Sequence, residues 1–124
     1  MTDSNPHIPI RFEVFQGEQL VRSETVEESI IKVGTLPSSH LCIEDQHVSK
    51  MHAVIEVSGP DEIHIIDLGS AAGTVVNGNK VTKNKLQHGD ELIFGNTRVV
   101  LQVVGVGAVA DDEATVAVDR DAVG

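Results

Sequence analysis

The sequence contains few aromatic side chains and few positive charges. Its 124 residues include no Trp, no Tyr and only Phe12, Phe15 and Phe94 as phenylalanines. The core must therefore be aliphatic, and its many Val and Ile residues favour strands because β-branched side chains pack well on a pleated sheet. Nineteen acidic residues against nine basic ones give a net charge of −10. Such a chain repels nucleic-acid phosphates, so we expect no nucleic acid as its main ligand.

Cysteine and long apolar runs are also scarce. Cys42 is the only cysteine, so the chain cannot form an intrachain disulfide, which fits a reducing compartment. No run of about 20 apolar residues is present, and the N-terminus MTDSNPHIPI lacks the charged-then-apolar pattern of a secretion signal. We therefore expect a cytoplasmic domain that makes no direct contact with a membrane.

The chain does contain a series of short segments that alternate like strands. In the first, residues 8–15, every second side chain from Ile10 to Val14 is apolar and the intervening ones are charged. The others are residues 20–26, 29–34, 40–44, 52–58, 63–67, 74–76, 80–83, 91–94 and 97–104. Turn residues such as the Asn-Gly pair at 77–78 separate them. Roughly ten or eleven short strands without a convincing helix predict an all-β fold in which two sheets face each other as a sandwich.

The composition divides the chain into three parts. Residues 1–7 are expected to be a flexible lead, and residues 8–104 are expected to form the sandwich. From Gly105 onward large apolar anchors are absent, and five acidic residues stand against the single Arg120. Because such a segment buries too little surface to offset the entropy of ordering it, residues 105–124 are predicted to be an acidic disordered tail or linker.

Five short motifs follow one another in a fixed order along the chain. They are Val33-Gly34, VSKMHA at 48–53, IIDLGS at 65–70, GTVVNG at 73–78 and LQHGDELIFG at 86–95. Together they resemble the forkhead-associated (FHA) domain family, whose Ser-x-x-His block matches the second motif. The resemblance implies a sandwich of the FHA type, with eleven strands and with loops at one end that bind phosphothreonine peptides.

The resemblance also implies roles for the motif residues. Ser49 would donate its hydroxyl to a phosphate oxygen, and His52 would brace the binding loops without touching the ligand. The binding surface would comprise Thr35, Ser49, Lys50, Ala71, Ala72 and Gly73. The structural positions would be Gly34, His52, Asp67, Thr74, Asn77 and Gly78.

Two positions depart from the family pattern in a way that weakens a phosphate clamp. The family's Gly-Arg pair is here Gly34-Thr35, and the Asn before the loop glycine is here Ala72. An Arg guanidinium grips two phosphate oxygens, and each hydrogen bond to a charged group contributes about 1.5–3 kcal/mol. Thr35 offers one neutral donor, so we expect phosphate affinity to fall roughly ten- to a hundred-fold. Lys50 retains a cation where the family commonly has Arg.

These departures leave three hypotheses about function. The first is a non-enzymatic protein-interaction module for signalling or recruitment, with phosphothreonine recognition lost or weakened. The second is phosphothreonine-peptide binding retained through Ser49 and Lys50. The third is a structural domain that associates with itself. In the first two the partner is a protein, and the resemblance is compatible with a place in a larger, membrane-anchored bacterial assembly.

The same residues also allow catalytic and metal-binding interpretations. Ser49, His52 and Asp67 could suggest a hydrolase triad, but the Ser-x-x-His turn lacks a nucleophile elbow and an oxyanion-donor pattern. The His and Cys residues between His40 and His52 could suggest zinc, but the tight ligand pairs of structural zinc sites are missing. We therefore expect no enzyme, no metal and no cofactor.

Three lysines near the Asn-Gly pair stand out in an acidic chain. Lys80, Lys83 and Lys85 fit either an ordinary solvated face or a basic lip that attracts an acidic partner. Their spacing does not decide between these interpretations.

Overall fold

Eleven strands in two sheets make up the fold. A computed structural model describes residues 8–104, so the expectations for residues 1–7 and 105–124 lie outside the described residues. The strands are β1 Ile10–Gln16, β2 Gln19–Val26, β3 Ile30–Gly34, β4 Leu41–Cys42, β5 Ala53–Gly59, β6 Glu62–Asp67, β7 Thr74–Val76, β8 Asn79–Val81, β9 Lys83–Leu86, β10 Glu91–Phe94 and β11 Thr97–Val103. The prediction of an all-β, two-sheet fold is confirmed. In the described range no helix is long and apolar enough to cross a membrane.

The strand order brings several loops to one end of the sandwich. The first sheet has the order β2-β1-β11-β10-β7-β8, and the second has the order β4-β3-β5-β6-β9. In the second sheet Val33 pairs with Ala53, which pairs in turn with Asp67. The end of β3, the start of β5 and the end of β6 therefore lie side by side. The start of β7 at Thr74 pairs with the end of β10 at Phe94 in the facing sheet.

An aliphatic core holds the two sheets together, as the composition requires. In β11, residues from Thr97 to Val103 are alternately buried and half-buried, which is the pattern of a strand with one face in the core. Only two of the three phenylalanines, Phe12 and Phe94, are fully buried. Burying one aliphatic side chain of Leu or Ile size contributes about 1.5–3 kcal/mol. The core therefore gives the loops at the sandwich end a rigid base.

The predicted return strand over residues 80–83 is present as the shorter β8, and β9 was not predicted. In the structure β8 ends at Val81, and β9 begins at Lys83 in the other sheet. The chain crosses between the sheets at this point because Val81 packs against the core from the first sheet and Leu86 is buried beneath the second. As a result Lys80 lies in one sheet, and the other two lysines of the predicted basic lip lie in the second sheet.

Candidate functional site

Two loops at the same end of the sandwich form the walls of an open groove. The Ser49 loop (residues 43–52) joins β4 to β5, and the Gly73 loop (residues 68–73) joins β6 to β7. Between them lies an open groove of about 350 Å³, lined by Gln46, His47, Val48, Ser49, Ala71 and Ala72. Three of the predicted binding residues, Ser49, Ala71 and Ala72, therefore line one groove, although they come from separate motifs.

The end of β3 supports the Ser49 loop through Gly34. A Cβ atom at Gly34 would overlap the carbonyl oxygen of Lys50 and would lie 2.8 Å from its carbonyl carbon. Next to it, the Thr35 N–H donates to the carbonyl oxygen of Ser49 at 3.2 Å. This close backbone contact places half-buried Thr35 beside Ser49, so the predicted position of the missing Arg adjoins the groove.

The imidazole of His52 joins the two loops. Its Nδ1 accepts a hydrogen bond from the Ser49 N–H at 3.1 Å, and its Nε2 lies 2.8 Å from the carbonyl oxygen of Gly73. An amide N–H can only donate and a carbonyl can only accept, so the ring carries its proton on Nε2. His52 is fully buried, and its ring packs edge-on against Phe94 at 5.4 Å between centroids. Both ring nitrogens are thus used within the protein.

A second hydrogen bond joins the loops at the groove itself. The Ala71 N–H donates to Oγ of Ser49 at 3.2 Å. Because Oγ acts as the acceptor in this bond, the hydroxyl proton of Ser49 can still be donated to a ligand in the groove. Lys50, the next residue, is exposed.

Asp67 organises the Gly73 loop from below. Its Oδ2 accepts from the N–H groups of Gly69 and Ser70 at 2.9 and 3.1 Å, and its Oδ1 accepts from the hydroxyls of Ser70 and Thr74 at 2.5 and 2.7 Å. Burial by itself would raise the pKa of Asp67, but these four hydrogen bonds together lower the pKa below 3.8. Asp67 is therefore held as a carboxylate that accepts bonds from its own loop, and it does not contact either nitrogen of His52.

A carboxylate that the sequence analysis missed organises the Ser49 loop. Asp45 accepts from the His47 N–H at 2.8 Å, the Asn96 N–H at 2.8 Å and the Thr97 hydroxyl at 2.9 Å. Burial acts to raise the pKa of Asp45, but these bonds outweigh it and lower the pKa. An Asp two residues before a bonded N–H is a common turn device, so the signal was present locally. Its tie to β11, which anchors the loop to the other sheet, was not visible in the sequence.

Both lowered pKa values predict a loss of stability in acid. A carboxylate whose pKa is lower in the folded than in the unfolded state stabilises the fold above the unfolded value of about 3.9, and this contribution disappears as the pH falls through the folded value. We expect the free energy of unfolding to change little from neutral pH to about pH 5 and to decline below about pH 4. Urea unfolding measured at a series of pH values tests this.

The matched variants are Asp67→Asn and Asp61→Asn. Asp67→Asn removes the titrating group, so its stability should be lower than wild type at neutral pH and less sensitive to acid. Asp61 is exposed in the β5–β6 turn, so Asp61→Asn should follow the wild-type curve. Equal acid sensitivity of Asp67→Asn and wild type would contradict the assigned role of Asp67.

The structure places the other predicted residues in different surroundings. Gly73 is buried with φ +85°, and its N–H donates to Oγ of Ser70 at 3.0 Å, so it shapes the loop and does not line the groove. Asn77 and Gly78 form a turn with φ values of +49° and +87° at the far end of β7 from the groove. There Asn77 contacts Asp90 and Glu91, and it has no contact with the groove.

No arginine of the described residues lines the groove. The described arginines are Arg11, Arg22 and Arg98, on β1, β2 and β11 of the first sheet. Arg22 donates to the Cys42 carbonyl and lies 3.0 Å from Glu24. Arg98 lies 4.1 Å above the Phe15 ring and pairs with a glutamate on β10. The groove therefore offers hydroxyl and amide donors with lysines nearby, but no guanidinium fork.

The sequence matches one family of domains and several of its curated members. The model of the FHA domain matches residues 31–95. The glycogen accumulation regulator GarA of Mycobacterium tuberculosis is 32% identical over 90 residues, which cover 73% of this chain and 54% of that protein. The oxoglutarate dehydrogenase inhibitor of Corynebacterium jeikeium is 32% identical over 75 residues, which cover 60% and 51%. The chain thus spans about half the length of the curated relatives it matches.

The fold is similar to solved FHA domains. An FHA domain of Arabidopsis thaliana superimposes with a TM-score of 0.70 and 26% identity, covering 85% of this chain and 93% of that one. The FHA domain of the CT664 protein from Chlamydia trachomatis gives a TM-score of 0.69 at 24% identity, covering 76% and 96%.

Proposed function

This chain belongs to the FHA-domain family, and we propose that it is a protein-binding module whose loop end binds its partner without requiring phosphorylation. Its curated relatives are named as a regulator and an inhibitor, which supports an action through binding another protein. The observation that carries the proposal is Thr35. The family resemblance places an Arg at this position, and the Thr35 N–H bonds to the carbonyl of Ser49, which lines the groove.

Internal contacts that hold both loops in place favour a functional groove. Gly34, His52 and Asp67 each hold a loop through contacts that need no ligand. Loops that are ordered before binding lose less conformational entropy when a partner docks. We infer that the groove binds a partner, and that the partner's chemistry differs from that of a phosphothreonine.

The charge of the groove disfavours a phosphate dianion. Desolvating an anion costs free energy unless charged hydrogen bonds replace its water. Thr35 and Ser49 supply neutral hydroxyls, and exposed Lys50 supplies a solvated point charge in place of a fork. An unphosphorylated segment carries less negative charge for the groove's donors to stabilise, so it suits this groove better.

We also propose that the domain is not an enzyme. A nucleophilic Ser49 would need a general base within hydrogen-bond reach. Nδ1 of His52 accepts from the Ser49 backbone N–H, and Nε2 bonds Gly73. Asp67 is occupied by four donors within its own loop. These contacts support a structural role for His52 and Asp67.

We propose that residues 8–104 act as the recruitment head of a longer cytoplasmic assembly, with residues 105–124 as its linker. The partial coverage of the curated relatives is compatible with such an arrangement.

Matched peptide libraries test the phosphate independence. Short peptides with a central phosphothreonine and the same peptides with threonine are titrated while the amide shifts of Ser49, Lys50 and Gly73 are followed. We expect no preference for the phosphorylated set. Micromolar, phosphate-dependent binding at these amides would favour the second hypothesis, in which Ser49 and Lys50 still recognise phosphothreonine.

Restoring the family residues is expected to create a phosphate preference. The double variant Thr35→Arg with Ala72→Asn reinstates the charged fork and an amide that can hold the peptide backbone. We expect phosphothreonine peptides to bind the double variant roughly ten- to a hundred-fold more tightly than the wild type, or about 1.4–2.8 kcal/mol. Titration calorimetry with the paired peptides measures this.

Thr35→Arg with Ala71→Asn is the matched control, because it places the same amide one residue away in the same exposed loop. This control should gain only the part of the phosphothreonine-peptide affinity that Arg contributes. If the double variant gains no phosphate preference, the two departures are not the cause of the predicted loss.

A further inference from the structure

Lys80 lies against the Gly73 loop although it belongs to the next hairpin. It pairs with Val75 across β7 and β8, so a diagonal step past Thr74 brings its side chain to Gly73. A Cβ atom at Gly73 would overlap Cε of Lys80 and lie 3.2 Å from its Nζ. Gly73 is buried while Lys80 is exposed, so the lysine stem covers the loop backbone and leaves its ammonium in solvent.

The surface under Lys80 is rigid. The carbonyl oxygen of Gly73 bonds to His52, its N–H bonds to Ser70, and its φ of +85° suits glycine. The stem of Lys80 therefore rests on a fixed backbone. Gly73 follows Ala71 and Ala72, which line the groove, so the stem of Lys80 lies on the loop that forms one wall of the groove.

Among residues 8–104, Lys80 has no carboxylate within 4.0 Å, whereas Lys85 pairs with Glu62 at 3.6 Å. This range is acidic, with 8 basic and 13 acidic residues, so that 8 − 13 = −5. A cation with no carboxylate partner among these residues, on the loop whose Ala71 and Ala72 line the groove, is available to an anionic group of a ligand.

We propose that Lys80 binds a side-chain carboxylate of the partner, so that the groove selects an acidic, unphosphorylated segment. This inference rests on the proposed function and names the chemistry of its ligand. A single carboxylate carries one negative charge and suits one ammonium, and the Ser49 hydroxyl in the groove can donate a hydrogen bond to the same segment. A phosphate dianion requires the fork that Thr35 does not provide. The stem already lies in place on Gly73, so little side-chain entropy is lost on binding.

Peptide arrays test the proposal with the whole chain. Short unphosphorylated peptides are immobilised with each position fixed in turn as Asp, Glu, Asn or Gln, and the preferred peptide is then titrated in solution. We expect the wild type to prefer an acidic residue at one position. Lys80→Met keeps an apolar stem over Gly73, so it should remain folded while losing that preference and roughly three- to tenfold in affinity. Lys80→Arg should keep the preference.

Lys83→Met is the matched control, because Lys83 is also exposed but pairs with Ile66 in the other sheet. It should bind like the wild type. The Lys80 proposal is overturned if Lys80→Met retains the acidic preference. It is also overturned if Lys83→Met loses as much preference and affinity as Lys80→Met, since the effect would then come from the overall surface charge.

The outcomes also separate this proposal from the one on which it rests. If unphosphorylated peptides bind without selecting an acidic position, the Lys80 proposal fails and the phosphate-independent function stands. Binding restricted to phosphothreonine peptides overturns the proposed function. In that case the same scan of flanking residues on phosphopeptides decides the role of Lys80, through the loss or retention of acidic preference in Lys80→Met.

Discussion

Gly34→Ala is expected to distort the Ser49 loop and to abolish partner binding at the groove. Its new Cβ would overlap the carbonyl oxygen of Lys50 and lie 3.1 Å from that of Ser49. Both atoms belong to the backbone, so neither can rotate away as the end of a side chain could. Gly34 has no positive φ, so alanine would otherwise be expected to stabilise a strand position by about 0.5–1 kcal/mol. For Gly34→Ala we expect destabilisation instead, with the free energy of unfolding lower by about 3 kcal/mol or more.

Urea unfolding and the amide shifts of the Ser49 loop measure this effect. Gly59→Ala is the matched control in a neighbouring strand, because a Cβ atom there would meet only Cβ of Glu62, at 3.9 Å. That variant should be as stable as the wild type or slightly more so. If Gly34→Ala behaved like Gly59→Ala, the end of β3 would not be the support of the Ser49 loop.

Strands with one buried face could be predicted because their signal is local. In β1 and β11 the alternation of apolar and polar residues coincides with the observed burial. The Asn77-Gly78 turn was also predictable, since both residues take the positive φ that this hairpin requires. The predicted ends of β1 and β11 differ from the observed ones by at most two residues, because strand ends depend on pairing partners.

β9 could not be predicted because its own residues carry almost no strand signal. Its sequence, Lys-Asn-Lys-Leu, has one buried side chain, Leu86, and lysine is depleted in strands. It is the edge strand of the second sheet, where exposed lysines discourage further pairing. Its place is decided by β6, whose residues Ile63–Ile66 pair with it from another part of the chain.

In the candidate site, too, features with a local sequence signal could be predicted and contacts between distant segments could not. Motif order brought out Ser49, His52 and the Gly73 loop, because each lies in a recognisable short pattern. The contact of Lys80 with Gly73 and the bond of Asp45 to Thr97 join segments that no local pattern connects. Such contacts depend on the sheet order, so the position of Lys80 on the Gly73 loop and one anchor of the Ser49 loop appear only in the folded chain.

His52→Ala is expected to uncouple the two loops. It leaves the buried Gly73 carbonyl and the part-buried Ser49 N–H without their partner, and an unsatisfied buried group costs about 1–3 kcal/mol. It also removes the ring that packs against Phe94, which opens a cavity beside the core. We expect a total loss of about 3–5 kcal/mol in unfolding free energy, together with loss of binding at the groove.

Hydrogen exchange separates this mechanism from general destabilisation. The Ser49 amide is protected by His52 alone among the described contacts, so it should exchange faster in His52→Ala than strand amides of the same variant do. His64→Ala is the control: His64 is only half-buried, on β6, and its loss should change stability by no more than about 0.5 kcal/mol. If the Ser49 amide kept its protection relative to the strands, the loops would be held together by the Ser49–Ala71 bond instead. The groove would then survive without the imidazole.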